Sequence, residues 1–404
     1  FLPSMNRVLM NHIYLKQMNR KCESALENGA EPVRVLSSVL GQNYPSDELE
    51  YSWKKLMQNH PHDSICCCSV DEVQDEMATR FNKSKQVADY LVSEGTRYIA
   101  DKINTKEYEK YKNALPFVVF NTTGRKRTSV VSVEIDVTRK SGWLKKCAYD
   151  LDEINVPNYK LIDSAGNSIP FKIEDLGVRF GYDLPKDKFR QPYMAIRVRV
   201  TFEAENISAV GYKTYALVEG DAEKVTDTLV SGENCMENDA IRVEINKNGS
   251  LNVTDKASGR TYKGVAYYEE TGDLGNEYMY KMPEGSKAIT TQDTVAKIEL
   301  AEDEPYRAMY KITNTITVPK SGDDNFEDEK RHMVFFKERV GGRSNDTVEM
   351  KIETFVSLDK NGKGVKIKTR FDNEVKDHRV RIMVPTGINS DVHKADSVFE
   401  VVTR

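Results

Sequence analysis

What most constrains this chain is a single change of hydrophobic period near residue 112. Before it, Leu15, Met18, Cys22 and Leu26 recur at spacings of three and four, and Pro32 suits a helix start. Val73, Met77, Phe81, Val87, Leu91 and Ile99 fall on one face of a single long helix. From Asn6 to about Lys112 the pattern therefore predicts a helical bundle. From Pro116 the code changes to period two, clearest over residues 130–137, 195–202, 241–253 and 348–355. Asn248-Gly249 and Asn361-Gly362 are strong hairpin turn signals. No long helical pattern separates these strands, which disfavours parallel βαβ units. The predicted class is α+β, an N-terminal helical bundle followed by antiparallel β-sandwich domains. Residues 221–236 are polar and poor in strand formers, which places a boundary there. The expected division is 1–112 helical, 113–222 a smaller β-sandwich and 223–404 a larger one, incomplete at its C-terminal end.

Composition narrows the function. Lysine and arginine number 59 against 63 aspartates and glutamates, so there is no basic footprint for nucleic acid. No run of 18 apolar residues and no basic-then-apolar leader occurs, so neither a membrane span nor a signal peptide is expected. Six cysteines without regular spacing suggest a reducing cytoplasm rather than a disulfide framework. On that reading sequons such as those at Asn121 and Asn252 arise by chance.

Chemistry concentrates in NHPHDSICCCSVDEVQDEM, residues 59–77. Residues 53–58 end one helix, Pro61 cannot continue it, and Ser69 with Glu72 forms a capping box for the next. His62 and Asp63 then occupy a constrained turn, where a neutral imidazole can bind a metal and a carboxylate can bind sugar hydroxyls. An isolated pair of this kind can equally cap helix ends. His60 competes as a ligand, though Pro61 between the two histidines turns the rings apart. The run Cys66-Cys67-Cys68 invites a metal reading, yet three consecutive side chains converge poorly on one tetrahedral ion.

The wider pattern resembles glycoside hydrolase family 38, the retaining α-mannosidases, and most closely its bacterial branch with the mannosylglycerate hydrolases. Trp53, the Leu56-Met57-Gln58-Asn59 run, His62-Asp63-Ser64-Ile65 and Ser69-Val70-Asp71-Glu72-Val73 match its central helical region. Tyr14-Leu15-Lys16-Gln17, Phe117-Val118-Val119-Phe120-Asn121, Asp273-Leu274-Gly275-Asn276-Glu277-Tyr278 and Lys376-Asp377-His378-Arg379 follow in the family's order. The resemblance implies that His62 is one ligand of a single zinc ion and that Asp63 and Tyr278 contact hydroxyls of an α-mannoside substrate. It also implies that nucleophile, acid/base carboxylate and remaining ligands lie on an N-terminal catalytic domain that nothing here resembles. The chain then reads as a piece of a longer enzyme, inactive alone, with no catalytic residue of its own and a possible homo-oligomer. Three positions depart from the family pattern: Cys67 stands at a usual glycine, Asn276 at a usual acid, and His12 at a usual arginine. His378 and Arg379 are left outside the site, because charged side chains of β proteins mostly solvate a face. Two other readings are a non-catalytic carbohydrate-binding module and a structural module that supports an assembly.

Overall fold

The computed structural model describes residues 11–185, 187–223, 226–397 and 399–404. The helical reading over residues 6–10 lies outside them. The bundle consists of α1 (Ile13–Ala25), α2 (Glu31–Val39), α3 (Ser46–Met57), the short α4 (His62–Cys66) and α5 (Asp71–Ala100). A π-helical turn over Leu26–Ala30 joins α1 to α2, and Pro32 stands in the first turn of α2. The periodic residues close one core. Leu15, Cys22, Leu26, Leu56, Met77, Phe81 and Leu91 are buried together, with Met18, Val73 and Val87 packed against them. The capping box is not formed. Helix α5 begins at Asp71 behind an extended Val70 with no side-chain cap, and the Ser69 carbonyl instead accepts from Gln74 Nε2 at 3.0 Å.

From Leu115 the chain is built of antiparallel sheets. Strands Leu115–Asn121, Gly211–Glu219, Tyr159–Asp163 and Ser168–Ile169 make one sheet. The long strands Arg127–Ser141, Gln191–Ile207 and Phe171–Asp183 make a second. Leu161, Tyr215 and Leu217 of the first meet Val198, Val200 and Phe202 of the second in one core. Period-two strands present alternate side chains to that shared interior.

The same arrangement recurs beyond residue 230. Ile241, Val243 and Leu251 pack on Ala308, Tyr310, Ile312, Val356 and Leu358 from a facing sheet. Asn248-Gly249 turns Ile241–Ile245 into Leu251–Asp255, and Asn361-Gly362 lies between Thr347–Asp359 and Lys366–Arg370. Gly249 has φ +83, and a Cβ there would sit 2.7 Å from Ile312, so both backbone and neighbour require glycine. Two short helices escaped the pattern: α6 (Leu144–Asp152) and α7 (Asp324–Arg331). At nine and eight residues they are too short to show a helical period against the strands around them.

A third small sheet positions the site. Tyr267–Gly272 pairs with His378–Met383, setting Gly272 opposite His378 and Thr271 opposite Arg379. The loop that follows Gly272 therefore begins beside both residues. Asn121 is 4% exposed, and its amide donates to the carbonyls of Arg125, Ile207 and Ser208. That nitrogen is part of the fold and has no room for a glycan.

Candidate functional site

The turn between α3 and α5 owes its shape to backbone bonding. Asn59 is fully buried and its Nδ2 donates to the Met77 carbonyl at 3.2 Å, tying the end of α3 to α5. Pro61 is extended, and α4 starts at His62. At the other end the Cys67 N–H reaches the Ser64 carbonyl at 2.9 Å and the Cys68 N–H reaches the Asp63 carbonyl at 3.1 Å. These are the two bonds of a Schellman motif, whose hinge residue must be left-handed. Cys67 is that residue, at φ 61 and ψ 39. The position therefore keeps a glycine conformation although its side chain is a thiol. Buried Cys67 is held from several sides. Its carbonyl accepts from Asn11 Nδ2 at 2.8 Å, and its Sγ lies 2.9 Å from Lys16 Nζ.

The motif folds residues 63 and 68 against each other. Cys68 Sγ lies 3.4 Å from Asp63 Oδ1, and Asp63 Oδ1 lies 3.2 Å from His62 Nε2. The His62 side chain is 90% exposed and that of Asp63 63%, so both face outward. His60 turns away, its Nε2 2.7 Å from Asn19 Oδ1 on α1. The cysteine run diverges likewise: Cys67 faces Lys16, while Cys68 faces Asp63. Burial pushes the Cys66 thiol up, with the neighbouring Cys68 adding to the effect.

Tyr278 reaches this turn from the β region. Its loop is tightly pinned: Asp273 Oδ1 accepts from the Gly275 and Lys281 N–H groups, and Asn276 Oδ1 accepts from the N–H groups of Tyr278 and Met279. A Cβ on Gly275 would stand 1.7 Å from the Met279 carbonyl, so the loop closes only around glycine. Asn276 thus supplies the turn-capping oxygen that a carboxylate would supply in its place. The Tyr278 side chain lies beside Cys68. The neighbouring Cys68 first, then desolvation, then the carboxylates of Glu277 and Asp63 push its phenol up to about 12. The structure therefore brings Asp63 and Tyr278 together across Cys68, with His62 beside Asp63. Cys68 was missed in the sequence because its role depends on a tyrosine 210 positions away.

His378 and Arg379 do not solvate a face. With His12, Gln17 and Asp273 they line a cavity of about 430 Å3 between the start of α1 and the β region. His12 stands in the left-handed region at φ 42. The His378 side chain is 5% exposed, its Nδ1 3.3 Å from Glu270 Oε1 and its Nε2 2.8 Å from Asn373 Oδ1. Glu270 is fully buried and receives a two-pronged contact from Arg343, at 2.8 Å to Oε2 and 2.5 Å to Oε1. Burial alone would raise the Glu270 carboxyl, but the close approach of His378 and the hydrogen bonds from Arg343 outweigh it and hold the pKa below its ordinary value.

Three sequence profiles cover this architecture: "Alpha mannosidase middle domain" over residues 8–99, "Glycosyl hydrolases family 38 C-terminal domain 1" over 112–219 and "Glycosyl hydrolases family 38 C-terminal domain" over 236–404. The chain belongs to glycoside hydrolase family 38. A Halalkalibacterium halodurans protein named "Putative mannosylglycerate hydrolase" is 37% identical over 97% of this chain and 44% of its own length. The crystal structure of an α-mannosidase from Enterococcus faecalis V583 superposes with a TM-score of 0.93 at 39% identity, over 97% of this chain and 45% of that one. A second family 38 structure from Enterococcus faecalis gives 0.92 at 38% identity, over 97% and 47%. The chain spans under half the length of each of these relatives.

No helix among the described residues is long and apolar enough to cross a membrane. Within those residues no group of three or more histidine, cysteine, aspartate or glutamate side chains is placed to hold a metal ion.

Proposed function

We propose that this chain is the middle and C-terminal portion of a retaining, zinc-dependent α-mannosidase. His62 serves as one zinc ligand, and Asp63 and Tyr278 contact hydroxyls of the bound mannose. The observation that carries this reading is the meeting of Asp63 and Tyr278, from two different parts of the fold, at Cys68. An outward-facing imidazole beside an outward-facing carboxylate suits a site whose other ligands come from elsewhere. When bound, the zinc would polarise vicinal hydroxyls of the sugar. Asp63 accepts hydrogen bonds from hydroxyls. Tyr278, held protonated, can donate one at any ordinary pH. Retention demands two carboxylates about 5 to 5.5 Å apart around the glycosidic bond, and on this reading both lie outside the chain. The same reading divides the chain into a helical domain over 1–112, a smaller β domain over 113–222 and a larger one over 223–404, and assigns it to the cytoplasm. Six free cysteines accord with that compartment.

The test compares the purified chain with the longer gene product on an activated aryl α-mannoside, with zinc content measured alongside. No turnover is expected from the chain alone. The longer protein should hydrolyse the substrate, and His62→Ala should remove zinc and activity together. Turnover by the isolated chain that vanished in Asp63→Ala would overturn the assignment.

A further inference from the structure

A second cavity, of about 460 Å3, opens where the paired sheets of residues 115–219 meet the larger β region. That volume lies within the roughly 300–1,000 Å3 typical of small-molecule sites. Its lining includes none of His62, Asp63, Cys68 or Tyr278. Most of the charge around it is already paired. The Asp163 carboxylate accepts from the N–H groups of Ala165 and Asn167, and Lys213 Nζ donates to the Glu205 carbonyl at 2.8 Å.

Two buried polar groups line it. Tyr306 is 2% exposed and its hydroxyl is buried without a hydrogen-bond partner. Orphaned groups of this kind are rare in folded proteins and call for a water, an ion or a ligand. Glu203 is 7% exposed and takes hydrogen bonds from Asn361 at 2.8 and 3.4 Å. Desolvation raises its pKa, partly offset by the hydrogen bonds from Asn361. Tyr212 adds an aromatic ring, 48% exposed. A carboxyl, a phenol and an open ring face suit a polyol: hydroxyls to the polar pair, C–H groups to the ring. A cation would meet Lys213 and Lys360. An anion would meet Glu203, Glu205 and Asp163.

We propose that this cavity is a non-catalytic binding site for a neutral hexose unit, held by Glu203 and Tyr306 and covered by the Tyr212 ring. The proposal is independent of the reading of the Asp63 turn. Saturation-transfer NMR on the full chain with methyl α-mannoside, methyl α-glucoside and spermidine tests it. Transfer to at least one glycoside is expected, weakened about threefold to tenfold in Tyr306→Phe, as for the loss of one hydrogen bond. The half-exposed Tyr212→Ala should weaken it too without altering thermal unfolding, which keeps the test sound if Tyr306→Phe misfolds. Binding should survive Asp63→Ala. No transfer to either glycoside, loss only in Asp63→Ala, or displacement of the glycoside by spermidine would each overturn the site.

Discussion

The two halves of the candidate site are built on opposite principles. On the helical side the turn from Asn59 to Cys68 presents His62 and Asp63 to solvent, and its rigidity comes from backbone bonds and one left-handed residue. On the β side rigidity comes from charge: Glu270, with no solvent exposure, is locked between Arg343 and His378 on the strand that launches the Tyr278 loop. Exposed groups that meet a substrate cost little to hold in water. A buried carboxylate is tolerable only while its partners remain, because desolvating a charge costs several kcal/mol. Stability should therefore be insensitive to the exposed His62 and Asp63 of the turn and very sensitive to the residues of the network.

The largest expected effect follows from that contrast. Glu270→Gln leaves Arg343 buried without its counter-charge and should cost about 3 to 5 kcal/mol at neutral pH in urea unfolding. The native pKa of Glu270 is lowered, so its contribution is present above the unfolded value of about 4.3 and is lost as the pH falls through the native one. The gap between wild type and variant should narrow below about pH 4. A gap that stayed constant with pH would mean that packing rather than charge holds this network.

An intermediate effect is expected at the hinge of the turn. Cys67→Ala and Cys67→Gly both remove the thiol that faces Lys16, so their difference isolates the cost of φ 61. The glycine variant should be the more stable by about 1 kcal/mol, the penalty of a Cβ in left-handed backbone. Equal stabilities would show that the Schellman hinge relaxes once the thiol is gone.

The smallest effect on stability, and the sharpest on the comparison, concerns the link between the halves. In Cys68→Ala the Tyr278 phenol should fall from about 12 towards its ordinary value near 10, read as phenolate absorbance with Tyr278→Phe to assign the change. Because its native pKa is raised, the contribution of the protonated phenol is present below about pH 10 and is lost as the pH climbs towards 12. An unmoved titration would mean that the two halves are not coupled through the thiol.

Local order was legible in the sequence wherever one element decides it. The change of period near residue 112 predicts helices before strands, since side-chain periods of 3.6 and 2 survive in any packing. The Asn248-Gly249 turn and the helix end before Pro61 are local for the same reason. The Ser69 and Glu72 cap failed because α5 starts behind Val70 and the Ser69 carbonyl bonds Gln74 instead. His378 and Arg379 were misplaced because a strand's charge says nothing about what packs over it; only the pairing with Tyr267–Gly272 and the approach of α1 enclose them. The His62-Asp63 pair was visible within residues 59–77, but its junction with Tyr278 through Cys68 was not. That contact joins residues more than two hundred positions apart, and distance in sequence carries no record of distance in space until the sheets have closed.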